Sequence, residues 1–485
     1  ENNPMLNFQF VVATGDFVDS LSVMGQVLDA FTLAPMEEGT YVMLYDEYYD
    51  SIPYKEKPVY LSKTNAEGDF WIHNMRGGEF KVFALQDLNS NFIYDLPEER
   101  IAFLDSLVTP EYLGVKDRGV PQDTASQGQG DDQQPPVEIQ QPDIPGFTPR
   151  EEDFQEQAPE IEPADTLLDF AHRGPFFSMF MFQEADTLQR VVSSTLVRQG
   201  LIQILFRVPT DSVWIQEIRQ PFDHDWYIPE VNPAKDTLRL WLRDVVRDSL
   251  FLEVGDGNRI LDTLELATVP RRASQEVDQK LTLRVNTQPS RTLPYFGHFR
   301  FTAANPIKQW DLSMIQLLEN DSLALEPELM FADTARRVIE IDTLLPPGQS
   351  FQLSLLPGAF TDIFGLTNDT LQWQFQTTLP ENYGTLMLNL DLPHKDNSFI
   401  LQLLDSNDNV VERKVIMESG IVNFPNLLPG EYRLRLVDDR NVNGEWDTGD
   451  YLKGLQPEQI YVFQELIQLR ANWEMEVAWR PQSLE

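Results

Sequence analysis

Five oxygen-bearing side chains in the stretch "QDLNSNFIYDLPEE" stand at the spacing of a calcium loop. Counted from Asp87, they are Asn89, Asn91, Asp95 and Glu98 after Asp87 itself. Such loops take side-chain oxygens at positions 1, 3 and 5, a main-chain carbonyl at 7 and a bidentate carboxylate at 12. The carbonyl here belongs to Ile93. A second stretch repeats the pattern with Asp439, Asn441, Asn443, the Glu445 carbonyl, Asp447 and Asp450, and adds Gly444 where the sharp turn falls. Hard oxygen donors with no His or Cys select Ca2+ over zinc, and the ion would be structural. Two features weaken the case. Phe92 stands at the turn position of the first loop, and paired Asn residues lower the ligand charge. The competing reading is an Asx-rich turn whose side chains satisfy loop N–H groups.

The elements that carry these loops read as strands. "FKVFAL" alternates directly before the first loop, where an EF-hand would have a helix. Residues 68–98 align without gaps to residues 420–450 at an offset of 352. Gly68, Asn74, Gly78, Glu79, Asp87, Asn89, Asn91 and Asp95 recur as Gly420, Asn426, Gly430, Glu431, Asp439, Asn441, Asn443 and Asp447. One module therefore occurs twice, once near each end. Elsewhere "TLRLWLR" sets Leu238, Leu240 and Leu242 on one face, and "KLTLRV" and "TLMLNLDL" alternate in the same way. Ten Asp-Ser/Thr-Leu tripeptides, from Asp19 to Asp369, suit turns that lead into strands. The fold class is all-β, a series of β-sandwiches joined by linkers.

The expected division is a final strand of a truncated sandwich over 1–14, a sandwich over 15–105, a Pro/Gln/Asp-rich linker over 106–165, sandwiches over 166–275 and 276–378, and the second copy of the repeated module over 379–485. The chain thus reads as starting inside a domain.

Composition narrows the function. With 485 residues and a formal charge of -40, the surface repels nucleic acid and anionic lipid. The absence of cysteine excludes disulfides, thiolate metal sites and Cys nucleophiles. No apolar run reaches the ~20 residues that span a bilayer. The histidines are scattered at 73, 172, 224, 298 and 394, and no HExxH, GxSxG, Walker A or GxGxxG occurs. His224 sits between Asp223 and Asp225, but adjacent strand residues point to opposite faces. Arg271 and Arg272 form a basic pair where two sandwiches should join. No catalytic residue or organic cofactor is assigned.

"NLLPGEYRLRLV" and "NMRGGEFKVFAL" resemble the transthyretin-like, carboxypeptidase-regulatory type of β-sandwich. "LPGAFTDIFGLTNDTLQWQFQTT" resembles the closing strands of bacterial Ig-like domains, and "ATGDFVDSLSVMGQVLDAFT" resembles a junction in Ig-like envelope lipoproteins of Bacteroidota. The resemblance implies an exported, non-enzymatic envelope protein at the outer membrane or cell surface. It implies a lipid anchor on a cysteine upstream of Glu1. Its partners would be other envelope proteins, an outer-membrane β-barrel complex among them. The rival is a carbohydrate-binding or polysaccharide-processing surface protein, for which Trp226, Tyr227 and Trp241 are the candidate stacking platforms.

Overall fold

Alternating apolar strands can bury one face only by pairing sheets, and the described residues do so four times. A computed structural model describes Asp19 and residues 21–112, 176–186, 188–243, 247–269, 280–288, 290–343, 345–395 and 397–482. The chain divides into two compact units at Phe182/Gln183. The described residues are almost wholly strand and turn, with three short 3-10 turns, so the fold is all-β.

The first unit holds one sandwich. Strand Leu21–Asp29 lies between Asp69–Met75, antiparallel, and Phe176–Met181, parallel. The facing sheet runs Tyr60–Lys63, Tyr41–Tyr45, Lys81–Gln86, Arg100–Phe103. Val23, Val27, Val42, Leu44, Phe70, Phe80 and Met179 fill the space between them.

The second unit holds three. Its first sandwich faces the sheet Tyr227–Val231, Thr237–Leu242, Leu201–Phe206, Val191–Arg198 with Val213–Glu217, Ser249–Asp256, Arg259–Ala267. Leu238, Leu240 and Leu242 enter that core, as their alternation requires. The middle sandwich closes over Phe299, Phe301, Phe351, Phe360 and Phe375. The last is built on Gly384–Leu390, flanked by antiparallel Gly420–Leu427 and parallel Glu474–Trp479. Its facing sheet runs Val410–Ile416, Ser398–Leu404, Gly430–Asp439, Ile460–Val462.

The repeated module is therefore the same two-sheet topology in both copies. Val23 pairs with Ile72 as Leu386 pairs with Phe424. Asn74 and Asn426 both hold positive φ, at 57° and 58°. The parallel closing strand changes the domain division. Phe176–Met181, expected to open a separate sandwich over 166–275, completes the first one. Val108 also bridges to Phe80, and Glu111–Tyr112 pairs with Leu21–Asp29, inside the span expected to be linker. The otherwise unpaired edge of Leu21–Asp29 explains the pairing of Glu111–Tyr112 and of Phe176–Met181, because its backbone groups need partners that residues up to 105 do not supply. The rest of the expected linker, residues 113–165, and the expected strand over 1–14 lie outside the described residues. So do Arg271 and Arg272.

Gly25 marks how closely the parallel strand packs. A Cβ there would overlap the Phe177 carbonyl oxygen and stand 2.8 Å from the Phe70 ring. Gly25→Ala should destabilise the first sandwich by about 1–3 kcal/mol, read as an earlier transition in denaturant melts, with the second unit's transition unchanged.

Candidate functional site

Each acidic loop leaves the sheet at a carboxylate that gathers main-chain donors. Asp87 accepts from the N–H groups of Asn89, Ser90, Asn91 and Phe92 at 2.7–3.3 Å. Asp439, fully buried, accepts from Asn443 and Gly444 at 3.1 and 3.0 Å and from the Ser398 hydroxyl at 3.0 Å. The backbone follows the same path in both loops. Ser90 and Val442 have φ of 60° and 59°, and Phe92 and Gly444 have 61° and 79°. Phe92 thus adopts the left-handed turn that glycine makes in the second loop. Its ring meets Tyr41 edge-on at 5.1 Å, a contact that offsets part of the backbone strain.

The far side of each loop is closed by amides. Asn89 and Asn91 donate from their side chains to the two oxygens of Asp95, both at 3.0 Å. Asn441 and Asn443 donate to Asp447, both at 2.7 Å. The amide oxygens of Asn89 and Asn91 accept from Asn91 and Ile93 N–H at 3.1 and 2.7 Å. Asn441 and Asn443 do the same for Asn443 and Glu445. The donor set suits calcium by residue type, but as arranged the amides turn N–H groups, not oxygens, toward the ninth-position Asp. Among the described residues, no group of three or more His, Cys, Asp or Glu could hold a metal ion.

Glu98 and Asp450, the expected twelfth ligands, stay out of the cluster. Glu98 is exposed, and Asp450 pairs with Lys453 at 2.6 Å. Their place is taken by Glu99 and Glu458, which gapless alignment does not match. Glu99 is fully buried and accepts from Leu88, Asp95 and Leu96 N–H at 3.0–3.1 Å. Glu458 accepts from Arg440 and Asp447 N–H at 2.7 and 3.1 Å. The two glutamates are structural equivalents, since Leu85 pairs with Ile101 as Val437 pairs with Ile460. Extra residues in the second loop shift the register between them. The shared "Glu-x-Ile" at Glu99–Ile101 and Glu458–Ile460 was the signal available in the sequence.

The aromatic candidates for sugar stacking are not surface platforms. Trp226 is 7% exposed and stacks on Phe222 at 5.0 Å within the core. Tyr227 is half-buried against it. Trp241 is 2% exposed and lies in the junction with the middle sandwich, among Leu201, Ile228 and Ile363. Its Nε1 donates to Glu230 at 2.7 Å, and Glu230 accepts from Arg337 at 2.6 Å. The guanidinium groups of Arg198 and Arg337 stand 5.4 and 5.2 Å from the Trp241 ring. Arg198 also donates to the Asn305 side-chain oxygen, and the Asn305 amide donates to buried Asp362 at 2.5 Å. His224 lies on the surface with Nδ1 2.8 Å from Asp223.

No family model and no curated protein matches the chain. Solved structures similar to it include the major pilin subunit of Bacillus cereus, at 9% identity over 95% of this chain and 99% of that one, TM-score 0.16. Alpha-2-macroglobulin from Escherichia coli is 10% identical over 59% of this chain and 98% of that one, TM-score 0.19. The surface layer protein SbsC, domains 1–6, is 12% identical over 59% and 41%, TM-score 0.21. Scores this low carry no argument about activity, and the all-β class rests on the strands themselves.

Burial raises the pKa of Glu458, its two N–H donors pull it back, and the Asp447 and Asp439 charges raise it again, leaving it above the usual carboxylate value. A carboxyl raised in the folded state contributes stability below its unfolded pKa and loses it as pH rises through the folded one. Relative to Glu458→Gln, the native chain should therefore lose melting temperature as pH climbs from about 4.5 toward neutrality. A flat difference between the two profiles would refute the assignment.

Proposed function

We propose that this chain is a non-enzymatic structural and interaction scaffold of the cell envelope, held at the outer membrane or cell surface through a lipid anchor outside this sequence. Other envelope proteins, an outer-membrane β-barrel complex among them, are the partners it would space or join. The observation that carries the reading is the Trp241 junction. Two sandwiches of the second unit meet over a buried indole and a carboxylate gripped by arginine, a contact that would hold consecutive modules at a fixed angle. A stiff series of sandwiches is what a spacer requires, and fold alone assigns it no chemistry. No helix among the described residues is long and apolar enough to cross a membrane, and a lipid anchor would need none.

The acidic loops extend the proposal to structural Ca2+. Turning the two Asn amides over would face their oxygens toward Asp95 or Asp447, an arrangement that only a cation makes favourable. The ion would replace the N–H contacts that those Asp residues now receive, and stiffen the turn between strand and loop. Millimolar calcium should then stabilise the chain over excess chelator, by up to ~2.7 kcal/mol at 100 times the dissociation constant, read as a higher melting temperature. Asp439→Ala with Asp447→Ala should remove most of the rise. Identical melting with calcium and chelator would leave two Asx-rich turns.

Cell fractionation tests the main reading. The native protein should sediment with the outer membrane and remain there after a salt wash, and recovery from the cytosol would overturn it. Stiffness is tested through Glu230. Burial alone would raise its pKa, but hydrogen bonds from Arg337 and Trp241 and the charges of Arg337 and Arg239 hold it below the usual value. Its contribution is present above the unfolded pKa and lost as pH falls through the lowered folded one. Small-angle scattering should show the particle lengthening or loosening below about pH 4, and Glu230→Gln should produce the same change at neutral pH.

A further inference from the structure

A cleft of about 460 Å³ opens where the middle sandwich meets the last one. Its lining includes Tyr295, Tyr383, Asn426, Asn472, Trp473 and Glu474. We propose that it is a binding site for a neutral oligosaccharide.

The walls are held from both sides. Tyr295 packs against Phe296 and Tyr383 at 5.1 and 5.7 Å. Its hydroxyl donates to the Asn426 side-chain oxygen at 2.5 Å, which fixes that amide and leaves its NH2 as a donor. Asn426 is one of the repeated left-handed residues, so its position is set by the turn as well. On the opposite wall, Asn472 also has positive φ, 58°. Its N–H donates to the Tyr383 carbonyl at 2.8 Å, and Thr385 N–H donates to the Trp473 carbonyl at 2.8 Å. Gly384 permits this approach, since a Cβ there would stand 2.7 Å from the Arg470 carbonyl oxygen. The turn is thereby pinned, and Trp473 is presented on it 48% exposed. Arg470 sits 4.9 Å from the indole centroid and braces the ring.

Trp473 thus differs from Trp226 and Trp241, which are buried. An exposed, braced indole beside two amides, a hydroxyl and a carboxylate matches the chemistry of a sugar. The ring stacks on the apolar C–H face, while the amides and Glu474 exchange hydrogen bonds with hydroxyls that both donate and accept. The volume falls within the ~300–1,000 Å³ of small-molecule clefts. Glu474 in the wall and a chain charge of -40 disfavour anionic sugars, so the ligand is a neutral one. This site goes beyond the scaffold reading and gives that surface something to hold.

The test uses the full chain with cellohexaose, maltohexaose, laminarihexaose and mannohexaose, followed by saturation-transfer NMR and calorimetry. At least one should bind with a dissociation constant near or below ~1 mM. Trp473→Ala should weaken that binding about tenfold or more with melting unchanged. Asn472→Gly, which tolerates the same positive φ and removes the amide, should also weaken it. Absence of binding by all four sugars at about 10 mM would overturn the proposal. Binding that survives Trp473→Ala but is lost in Glu474→Gln would overturn it too, because recognition would then be of charge and not of a sugar face.

Discussion

A carboxylate sunk beside a turn, with several main-chain N–H groups aimed at it, is the interaction this chain relies on most. Among the described residues it recurs in loops of both units. Asp87 and Glu99 organise the first acidic loop, and Asp439 and Glu458 the second. Glu217, 4% exposed, accepts from Gln220 and Phe251 N–H and lies 3.7 Å from Arg247. Asp362, fully buried, accepts from Phe364 and Leu366 N–H at 2.9 and 2.8 Å while taking the Asn305 amide. Each bond is charge-assisted and stronger than its neutral counterpart. Together they give the loops a fixity that disulfides supply in other small domains. The acidity of the chain is therefore partly internal architecture and not only a surface property.

The two junctions of the second unit are built differently. At Trp241 the arginines close over a carboxylate and a buried indole, and the neighbouring sandwiches meet across a specific contact. At Tyr295 the hydroxyl orients an amide but the surface beyond stays open, with Trp473 left half in solvent. One contact fixes geometry and the other leaves room for a ligand.

The sequence made the strands and the repeat legible because both rest on local pattern. Period-two alternation placed Leu238, Leu240 and Leu242 correctly, and the ladder from Gly68 to Asp95 matched the ladder from Gly420 to Asp447 residue for residue. What escaped depended on contacts that spacing does not encode. Glu99 and Glu458 fall out of alignment because the second loop is longer, although both end over the same turn. "FFSMFM" carries no alternation that ties it to Leu21–Asp29, so its parallel pairing is visible only once that strand's free edge is known. Trp241 reads as an outward residue by alternation, and it does point away from its own core, but a second sandwich covers it.

The parallel closing strand has a consequence for how each copy of the module is made. In the last sandwich, Glu474–Trp479 follows a few residues after Ile467–Leu469, so the chain finishes the sheet soon after starting its final turn. In the first, Phe176–Met181 arrives more than sixty residues after Glu111–Tyr112. The entropy of closing a loop grows only slowly with its length, so the finished sheet loses little stability. Timing is another matter. A chain emerging from its amino end carries an incomplete first sheet, with one edge of Leu21–Asp29 short of its partner, until the whole intervening stretch has followed. The early copy is obliged to wait, while the late copy can close at once. Two modules with nearly the same topology thus differ in contact order, and the first carries its open strand edge for longer after its other strands have been made.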